Sequence, residues 1–387
     1  LICVFFLCFL FSILDFYDPA LTASFYLALW LTGREYTKNS DYERAGDYVH
    51  FMDDLGESDK FFTQYNNVPI GFEVYKNTVF VTVPRRRYGI PSTLNYVDLL
   101  DPNSVLRPYP DVASRSSLVS VYRPRIDECG RLWMVDTGLL EVPGERKQLQ
   151  PPAIIVYNLS TKEQILRYQL KSTDLIDETT PAGLTSITVD VGSSCEDTHA
   201  YITDLATNGL IVFSLKDRDS WRIQDDSFKL DEKAMNFTVA GFVINWRDGL
   251  FSVALSQRDA VGGRKAFFHP LVSTQEYAVD TADLKSGKNG KIPLGSRGPK
   301  TQSGSHDLHH TGVLFFANVA QDGILCWNTN KPLTENNVTL VAQNHEKLVY
   351  ISDLKVKSDE VWVLVNQIPR FVYATLDPRQ RNFFILK

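Results

Sequence analysis

Five polar residues end short aromatic-centred runs and could do chemistry if the fold brings them together: Asp136, Asp204, His269, Asn318 and Asn366. Asp and Asn favour turns, and we expect that role for most of the five. His269 is less easily explained as a turn former, because imidazole can donate or accept a proton near neutral pH. A structural role and a role in proton transfer are equally open for His269 at this point.

Motifs of the common enzyme classes are absent from the sequence. It contains no G-x-S-x-G elbow, no P-loop, no G-x-G-x-x-G and no H-E-x-x-H. His306, His309 and His310 form a local cluster that could ligate a metal. Their stretch is typical of the turn before a strand, so we expect no metal there.

Repeated β-rich runs must position these residues. Helical patterns are scarce, and Gly, Pro, Asn and Asp punctuate the chain. Six runs pair a small or branched apolar residue with an aromatic, spaced about 47 to about 68 residues apart. They are residues 79–83, 132–136, 200–204, 266–270, 314–318 and 361–365. Further strands are predicted after five of them, at residues 154–159, 209–215, 275–279, 323–327 and 371–376.

Six similar units of this size predict an all-β, six-bladed β-propeller. A two-sheet sandwich also contains many short strands, but it does not need six similar units. We therefore expect one propeller domain over residues 42–387. Equivalent strand ends lie on a ring around a propeller axis, so distant residues could converge on one pocket.

The composition excludes several classes of protein. Hydrophobic residues make up 44% and charged residues 22% of the 387 residues, which describes a globular chain. The net charge of −6 provides no general field for nucleic acid or anionic membrane.

The N-terminal residues predict export. Residues 1–14 form an unbroken apolar run, too short for a membrane-spanning helix and typical of a secretory signal. We expect a leader over residues 1–32, with a membrane anchor as the alternative, and no stable membrane insertion after processing. Sequons at Asn158, Asn236 and Asn337 agree with a secreted glycoprotein.

Several segments resemble the insect Yellow and major royal jelly protein family. They are VFVTVPR at 79–85, IPSTLNY at 90–96, VYRPRIDECGRLW at 121–133, ITVDV at 187–191, LGSRGP at 294–299 and CWNT at 326–329. Within the family, FHPLVST at 268–274 and SRGPKTQS at 296–303 look most like the Yellow-f branch, which is associated with dopachrome conversion in melanin formation. The resemblance implies a six-bladed propeller and localisation in haemolymph or cuticle.

Salivary relatives in this family bind biogenic amines in a pocket at one end of the axis. Carried over by motif, the ligand-binding residues are Tyr122, Phe251, Tyr350, Ser352 and Asn366. Ile368 stands where the amine binders carry an aromatic residue. His269 stands where they have no histidine, which weakens amine binding and leaves room for catalysis.

The family pattern of two disulfides implies a bridge between Cys129 and Cys195. Cys326 matches half of the second bridge, whose partner lies near the C-terminus in the family. The sequence stops at Lys387 without that partner. We therefore expect a truncated C-terminus and a buried thiol at Cys326.

The reaction implied by the resemblance is dopachrome tautomerisation or decarboxylation. Tyr122, Phe251 and Tyr350 would form a slot for the ring, while Ser352 and Asn366 would hydrogen bond its oxygens. The substrate is already an electron sink, so no cofactor is expected. Two alternatives stay open, a non-catalytic binder of amines or indoles and a structural or cuticle-associated protein.

Two residues complete the predicted catalytic set. His269 would move the proton, and Arg85 would pair with the substrate carboxylate.

Overall fold

Six four-stranded antiparallel sheets form the blades of a six-bladed β-propeller. The computed structural model describes residues 62–101, 104–141, 146–177, 180–377 and 379–387, with the backbone of Leu27–Ala28. The predicted fold class is confirmed. All six aromatic-centred runs are the second strands of their blades.

The strands of blades 1 to 3 follow in chain order from the axis outwards. Blade 1 contains Gly71–Tyr75, Thr78–Thr82, Leu94–Asp98 and Arg107–Pro108. Blade 2 contains Arg125–Ile126, Arg131–Asp136, Ala153–Asn158 and Gln164–Gln169. Blade 3 contains Leu184–Val191, Thr198–Asp204, Gly209–Ser214 and Asp219–Gln224.

Blades 4 to 6 repeat the arrangement. Blade 4 contains Leu250–Leu255, Lys265–Pro270, Gln275–Asp280 and Ile292–Ser296. Blade 5 contains Ser303–Leu308, Val313–Asn318, Gly323–Asn328 and Val338–Gln343. Blade 6 contains Ile351–Lys357, Glu360–Val365 and Phe384–Leu386, with Leu27–Ala28 as its outer strand.

Short elements connect the blades. Two hairpins pair Leu139–Leu140 with Lys147–Gln148 and Phe237–Val239 with Phe242–Ile244. The α-helices are Thr281–Lys285 and Ile368–Tyr373, and the 3-10 helices are Gln64–Asn66, Ala113–Ser116, Ser172–Asp174, Asp226–Phe228, Glu232–Ala234 and Glu335–Asn337. No helix in the described part of the chain is long and apolar enough to cross a membrane.

The second strands are apolar on both faces because each face packs against a neighbouring blade. In blade 2, Leu132, Trp133 and Met134 are all fully buried. Trp133 packs in one core cluster with Ile202 of blade 3, whereas Leu132 and Met134 belong to another cluster with Phe80 of blade 1. Burial on both faces explains why these strands read as continuous apolar runs rather than alternating ones.

The inner strands carry charged residues that meet near the axis. Arg125 of blade 2 donates to Asp307 of blade 5 at 2.9 Å. Glu73 of blade 1 pairs with Lys357 of blade 6 at 2.5 Å, and Lys355 pairs with Asp353 at 3.3 Å. Pairing compensates charges that would otherwise be costly to bury.

Most of the polar strand ends have the turn-forming role expected of Asp and Asn. Asp136 accepts hydrogen bonds from the backbone of Val119 and Ser120, just before the inner part of blade 2. Asp204 accepts from Gly183 N at 2.8 Å, and Asn318 donates to Lys300 O at 3.1 Å. These side chains fix the chain as it enters each inner strand.

The predicted disulfide is confirmed. Cys129 and Cys195 are joined, with Cα atoms 6.0 Å apart. They lie in the hairpins between the first and second strands of blades 2 and 3, so the bond staples adjacent blades. Cys326 is buried and takes part in no disulfide of the described residues.

One predicted strand is wrong, and one boundary stays untested. Residues 371–376 were expected to be the third strand of blade 6, but Ile368–Tyr373 is a helix with Pro369 in its first turn, and Phe384–Leu386 is the third strand. Proline suits a first helical turn because its missing N–H has no partner there. The predicted leader 1–32 and residues 42–61 lie outside the described residues, apart from Leu27–Ala28, which pairs with Phe384 and Ile385.

Candidate functional site

A cavity of about 380 Å³ opens at one end of the propeller axis. Its walls come from the starts of inner strands and from the segments that follow second strands, in blades 1, 2, 3, 4 and 6. All five predicted ligand-binding residues line it: Tyr122, Phe251, Tyr350, Ser352 and Asn366. The structure therefore places them together, and their part in binding stays a prediction.

Aromatic rings form much of the pocket wall. The Trp246 and Tyr350 rings make an edge contact, with centroids 5.6 Å apart. Phe251 lies under the guanidinium of Arg123, 4.3 Å from the ring centroid. Such walls suit a planar ligand, because aromatic pairs stack or meet edge to face.

Tyr350 has an unusual backbone and an available hydroxyl. Its φ is 56°, a left-handed conformation that bulky residues seldom adopt. Burial raises the pKa of Tyr350, so the hydroxyl stays protonated at neutral pH. Among the described residues, no group hydrogen bonds to this hydroxyl, which leaves it as a donor to a ligand.

Tyr122 is tied to an acid in the pocket. Its hydroxyl donates to the Glu141 carboxylate. Burial, reinforced by the Glu141 charge, raises the pKa of Tyr122 well above its ordinary value. The Tyr122 hydroxyl therefore stays protonated and bonded to Glu141 at neutral pH.

Three arginines line the cavity: Arg86, Arg123 and Arg146. Arg123 is buried, donates to Gly304 O at 2.9 Å and to the Ser352 carbonyl, and lies 4.0 Å from Asp353. Arg86 lies along the wall. Burial alone would lower the pKa of Arg86, but Tyr122 and Glu141 outweigh it and raise the pKa. Burial lowers the pKa of Arg123, but both guanidinium groups keep their positive charge, because arginine stays protonated in proteins.

Asp248 is the acid of the pocket without a hydrogen-bonded partner. No hydrogen bond from the described residues reaches its carboxylate, which lines the cavity just before the inner strand of blade 4. Burial raises the pKa of Asp248 from its ordinary value to about 6, although Arg86 and Arg123 favour the ionised form. A carboxylate that titrates near neutrality is suited to proton transfer.

Ser352 and Asn366 keep part of their hydrogen-bonding capacity. Ser352 Oγ donates to Ile70 O at 2.8 Å, which leaves its oxygen able to accept. Asn366 Nδ2 donates to Pro69 O at 2.9 Å, and its Oδ1 accepts from Ile368 N. The Asn366 amide retains one more donor and one more acceptor position.

His269 lies outside the pocket, which leaves its predicted role in proton transfer without support. Its ring is fully buried in blade 4, where Nδ1 lies 2.8 Å from Glu276 and Nε2 lies 3.1 Å from Ser303 O. Burial lowers the pKa of His269 to about 3, although Glu276 opposes this shift. Glu276 also pairs with Arg297 at 2.7 Å. The cluster joins the strands of blade 4 to the start of blade 5.

Arg85 is likewise buried away from the cavity, so its predicted contact with a substrate carboxylate has no support. Its neighbour Arg86 lines the cavity instead. Arg85 donates to five backbone carbonyls, those of Ile90, Pro91, Arg115, Leu118 and Val119. These bonds hold the loops between blades 1 and 2. These bonds occupy the N–H donors that a substrate carboxylate would need.

The sequons lie in different environments. Asn236 is exposed. Asn158 accepts from Ser160 N at 2.9 Å within a hairpin, and Asn337 donates to Pro332 O at 2.9 Å. Glycosylation at the three sites stays a prediction.

Residues 119–387 match the model of the major royal jelly protein family. The chain belongs to this family. It is 40% identical over 345 residues to L-dopachrome tautomerase yellow-f of Drosophila melanogaster, covering 84% of this chain and 80% of that protein. It is 33% identical over 351 residues to dopaminechrome tautomerase of the same species, covering 84% and 75%. The resemblance inferred from the motifs is confirmed.

Solved structures with similar folds are distant in sequence. Virginiamycin B lyase from Staphylococcus aureus aligns with a TM-score of 0.44 at 12% identity, covering 83% of this chain and 94% of that chain. A luciferin-regenerating enzyme aligns with a TM-score of 0.47 at 9% identity, covering 83% and 90%.

Sequence reasoning missed Arg86, Arg123, Trp246 and Asp248. Arg123 follows Tyr122 inside a segment already singled out, and Asp248 directly precedes the segment that holds Phe251. An acid shortly before an inner strand, at the pocket end of the propeller, is the pattern that could have predicted Asp248. Ile368, the predicted departure from the amine binders, does line the cavity.

Proposed function

We propose that this protein is an isomerase that converts dopachrome in melanin formation without a cofactor. The observation that carries the proposal is the position of Asp248 in a planar aromatic slot that also holds Arg86. The named activities of two relatives, a dopachrome and a dopaminechrome tautomerase, support the same substrate class.

The pocket supplies a group for each requirement of the reaction. Dopachrome is a planar indoline quinone with a carboxylate on the carbon that loses a proton. The ring would lie against Phe251 and Trp246, and Arg86 would pair with the carboxylate. Asp248 would take the proton, and Tyr350 would donate to a quinone oxygen as negative charge develops there.

Bonds and electrons balance within the substrate. The C–H bond of the carboxylate-bearing carbon breaks, its proton goes to Asp248, and its electron pair enters the conjugated ring. A second proton leaves the neighbouring CH2 group and completes the indole double bond. The two quinone oxygens gain two protons and become the hydroxyls of the dihydroxyindole, which balances the two protons lost from carbon. The quinone is itself the electron acceptor, so the step needs no external oxidant or reductant.

The charge of the pocket favours this substrate over a biogenic amine. Three arginines, Arg86, Arg123 and Arg146, and two acids, Glu141 and Asp248, line the cavity, so cations outnumber anions and the pocket favours a carboxylate over an ammonium group. A carboxylate held by an arginine also resists leaving as neutral CO2. We therefore expect a product that retains its carboxylate.

The test is stopped-flow measurement of dopachrome colour loss, with products identified by chromatography. The folded protein should accelerate the loss well above buffer and yield the carboxylated dihydroxyindole. Tight binding of dopachrome without acceleration would replace the proposal with the binder alternative.

We also propose that the protein acts outside the cell. The Cys129–Cys195 bond supports this, because disulfides persist in oxidising compartments. Mass spectrometry of protein expressed in insect cells should find a glycan at exposed Asn236. Recovery of the unglycosylated protein from the cytosol alone would contradict secretion.

A further inference from the structure

Two histidines and a carboxylate from neighbouring blades meet on the face opposite the pocket. His309 and His310 follow the inner strand of blade 5, and Asp359 lies in the corresponding hairpin of blade 6. Nε2 of each histidine lies 3.1 Å from Asp359 Oδ1. Inner strands begin at the pocket end, so these hairpins lie at the other end of the axis.

The spacing of the donor atoms fits a zinc ion. The three ligand atoms lie within 4.8 Å of one another. Zinc binds imidazole nitrogen and carboxylate oxygen at about 2.0–2.2 Å, which places tetrahedral ligands roughly 3.3–3.5 Å apart. The 3.1 Å contacts between Nε2 and Oδ1 need to open by only a few tenths of an ångström. Two imidazoles and one carboxylate are a common zinc set that leaves a position for water.

The surroundings combine a rigid ligand with an open approach. The His309 side chain is 3% exposed, and its Nδ1 lies 2.7 Å from Thr311 Oγ1 and 3.3 Å from Thr311 N, two contacts that orient the ring. The side chains of His310 and Asp359 are 58% and 79% exposed. An ion could therefore enter from solvent without unfolding a blade.

The fold already uses a cross-link at the equivalent place. Cys129 and Cys195 join the hairpins between first and second strands of blades 2 and 3. His309, His310 and Asp359 occupy the same hairpins of blades 5 and 6. The sequence alone predicted no metal here, but the fold adds Asp359 to the two histidines, and we propose that these three residues form a zinc site that links blades 5 and 6.

The test is isothermal titration calorimetry. The full, untagged chain is first dialysed against a chelator and is then titrated with zinc chloride. One ion should bind per chain. His310→Ala and Asp359→Asn should each weaken zinc binding at least tenfold. Both residues are exposed, so neither change should unfold the protein.

His345→Ala is the matched control. His345 is also exposed and lies 3.0 Å from one carboxylate, that of Asp322, with no second histidine beside it. Its removal should leave zinc affinity unchanged. Saturating zinc should raise the melting temperature of the wild type and of His345→Ala, but not that of His310→Ala.

Three results would overturn the proposal. They are the absence of saturable binding below millimolar zinc, undiminished affinity in His310→Ala and Asp359→Asn, and an equal loss in His345→Ala. The site lies away from the pocket, so these results are independent of the dopachrome assay.

Discussion

Arg85 and Arg86 are consecutive, yet their guanidinium groups lie in opposite environments. Arg85 is 5% exposed and its guanidinium donates to five backbone carbonyls, whereas Arg86 lines the cavity. The chain bends here, where Arg86 N donates to Pro84 O at 2.8 Å, and the two side chains leave it towards different environments. The pair separates a structural arginine from one available to a ligand.

Replacing Arg86 should weaken recognition of the substrate carboxylate. We expect Arg86→Gln to raise KM for L-dopachrome roughly tenfold, the effect of losing about 1.4 kcal/mol. KM for dopaminechrome, which lacks the carboxylate, should change little. Steady-state kinetics with both substrates give the comparison, and an equal rise for both would contradict the carboxylate contact.

Arg85→Gln is the matched control for Arg86→Gln. It leaves several buried carbonyls without donors, so it should lower the free energy of unfolding by roughly 3 kcal/mol or more. Urea unfolding should show this loss, while Arg86→Gln unfolds close to the wild type.

Removing the Asp248 carboxylate should abolish most turnover. We expect Asp248→Asn to lower kcat by about 10²- to 10⁴-fold, the usual contribution of a general base. The wild-type rate should fall as the pH drops through about 6, because the base must be ionised. The variant should lose this limb of the profile. Asp226→Asn, at an exposed acid outside the pocket, is the control and should retain both rate and profile.

The same substitution should stabilise the protein at neutral pH. The folded pKa of Asp248 is raised to about 6, so the folded state holds a proton that the unfolded state has lost. The free energy of unfolding therefore falls as the pH rises from the pKa of Asp248 in the unfolded state through about 6. Asn mimics the protonated acid, and we expect Asp248→Asn to be more stable by on the order of 1–2 kcal/mol at pH 7.5. Near pH 4 the two proteins should unfold alike, and lower stability of the variant at pH 7.5 would contradict the raised pKa.

The Tyr350 hydroxyl should matter for rate rather than for folding. It has no hydrogen-bond partner among the described residues, so Tyr350→Phe should leave the melting temperature nearly unchanged. Loss of a donor to the developing oxyanion should lower kcat by about 10²-fold or more. Tyr277→Phe, at a tyrosine outside the cavity, provides the comparison. A wild-type kcat in Tyr350→Phe would remove this donor from the mechanism.

The strands of the blades could be predicted because their burial leaves a mark in the sequence. Second strands such as Arg131–Asp136 pack on both faces and read as apolar runs with an aromatic. The helix Ile368–Tyr373 was missed because its short apolar pattern does not separate helix from strand. Pro369 after Gln367 was the local signal for a helix start.

The site was only partly predictable for a different reason. Tyr122 and Phe251 came from motifs, but the direction of Arg86 and the partners of His269 depend on tertiary packing. Glu276 and Arg297, which hold His269 in place, lie on other strands of its blade or in the segment that follows. No spacing in the sequence shows that a histidine at a strand end turns towards them rather than towards the axis.

His269 should therefore affect stability more than rate. His269→Ala removes the Nδ1 contact of the buried Glu276 carboxylate, and we expect the free energy of unfolding to fall by about 1–3 kcal/mol. Well below the melting temperature, kcat should stay within about threefold of the wild type. A hundredfold fall in kcat for the folded variant would restore the histidine to the proton-transfer step.

The bond between Cys129 and Cys195 should contribute much of the stability of the propeller. It closes a loop with a sequence separation of 66 residues, and a native bond of this kind typically contributes about 2–4 kcal/mol. The double variant Cys129→Ala, Cys195→Ala should lose about that amount in urea unfolding. The pocket lies at the other end of the axis from these hairpins, so kcat at low temperature should be retained. A reducing agent should destabilise the wild type and leave the double variant unchanged, because only the wild type has this bond to lose. If the reductant lowered the stability of both proteins equally, the loss would come from other cysteines. That result would contradict a stabilising bond between blades 2 and 3.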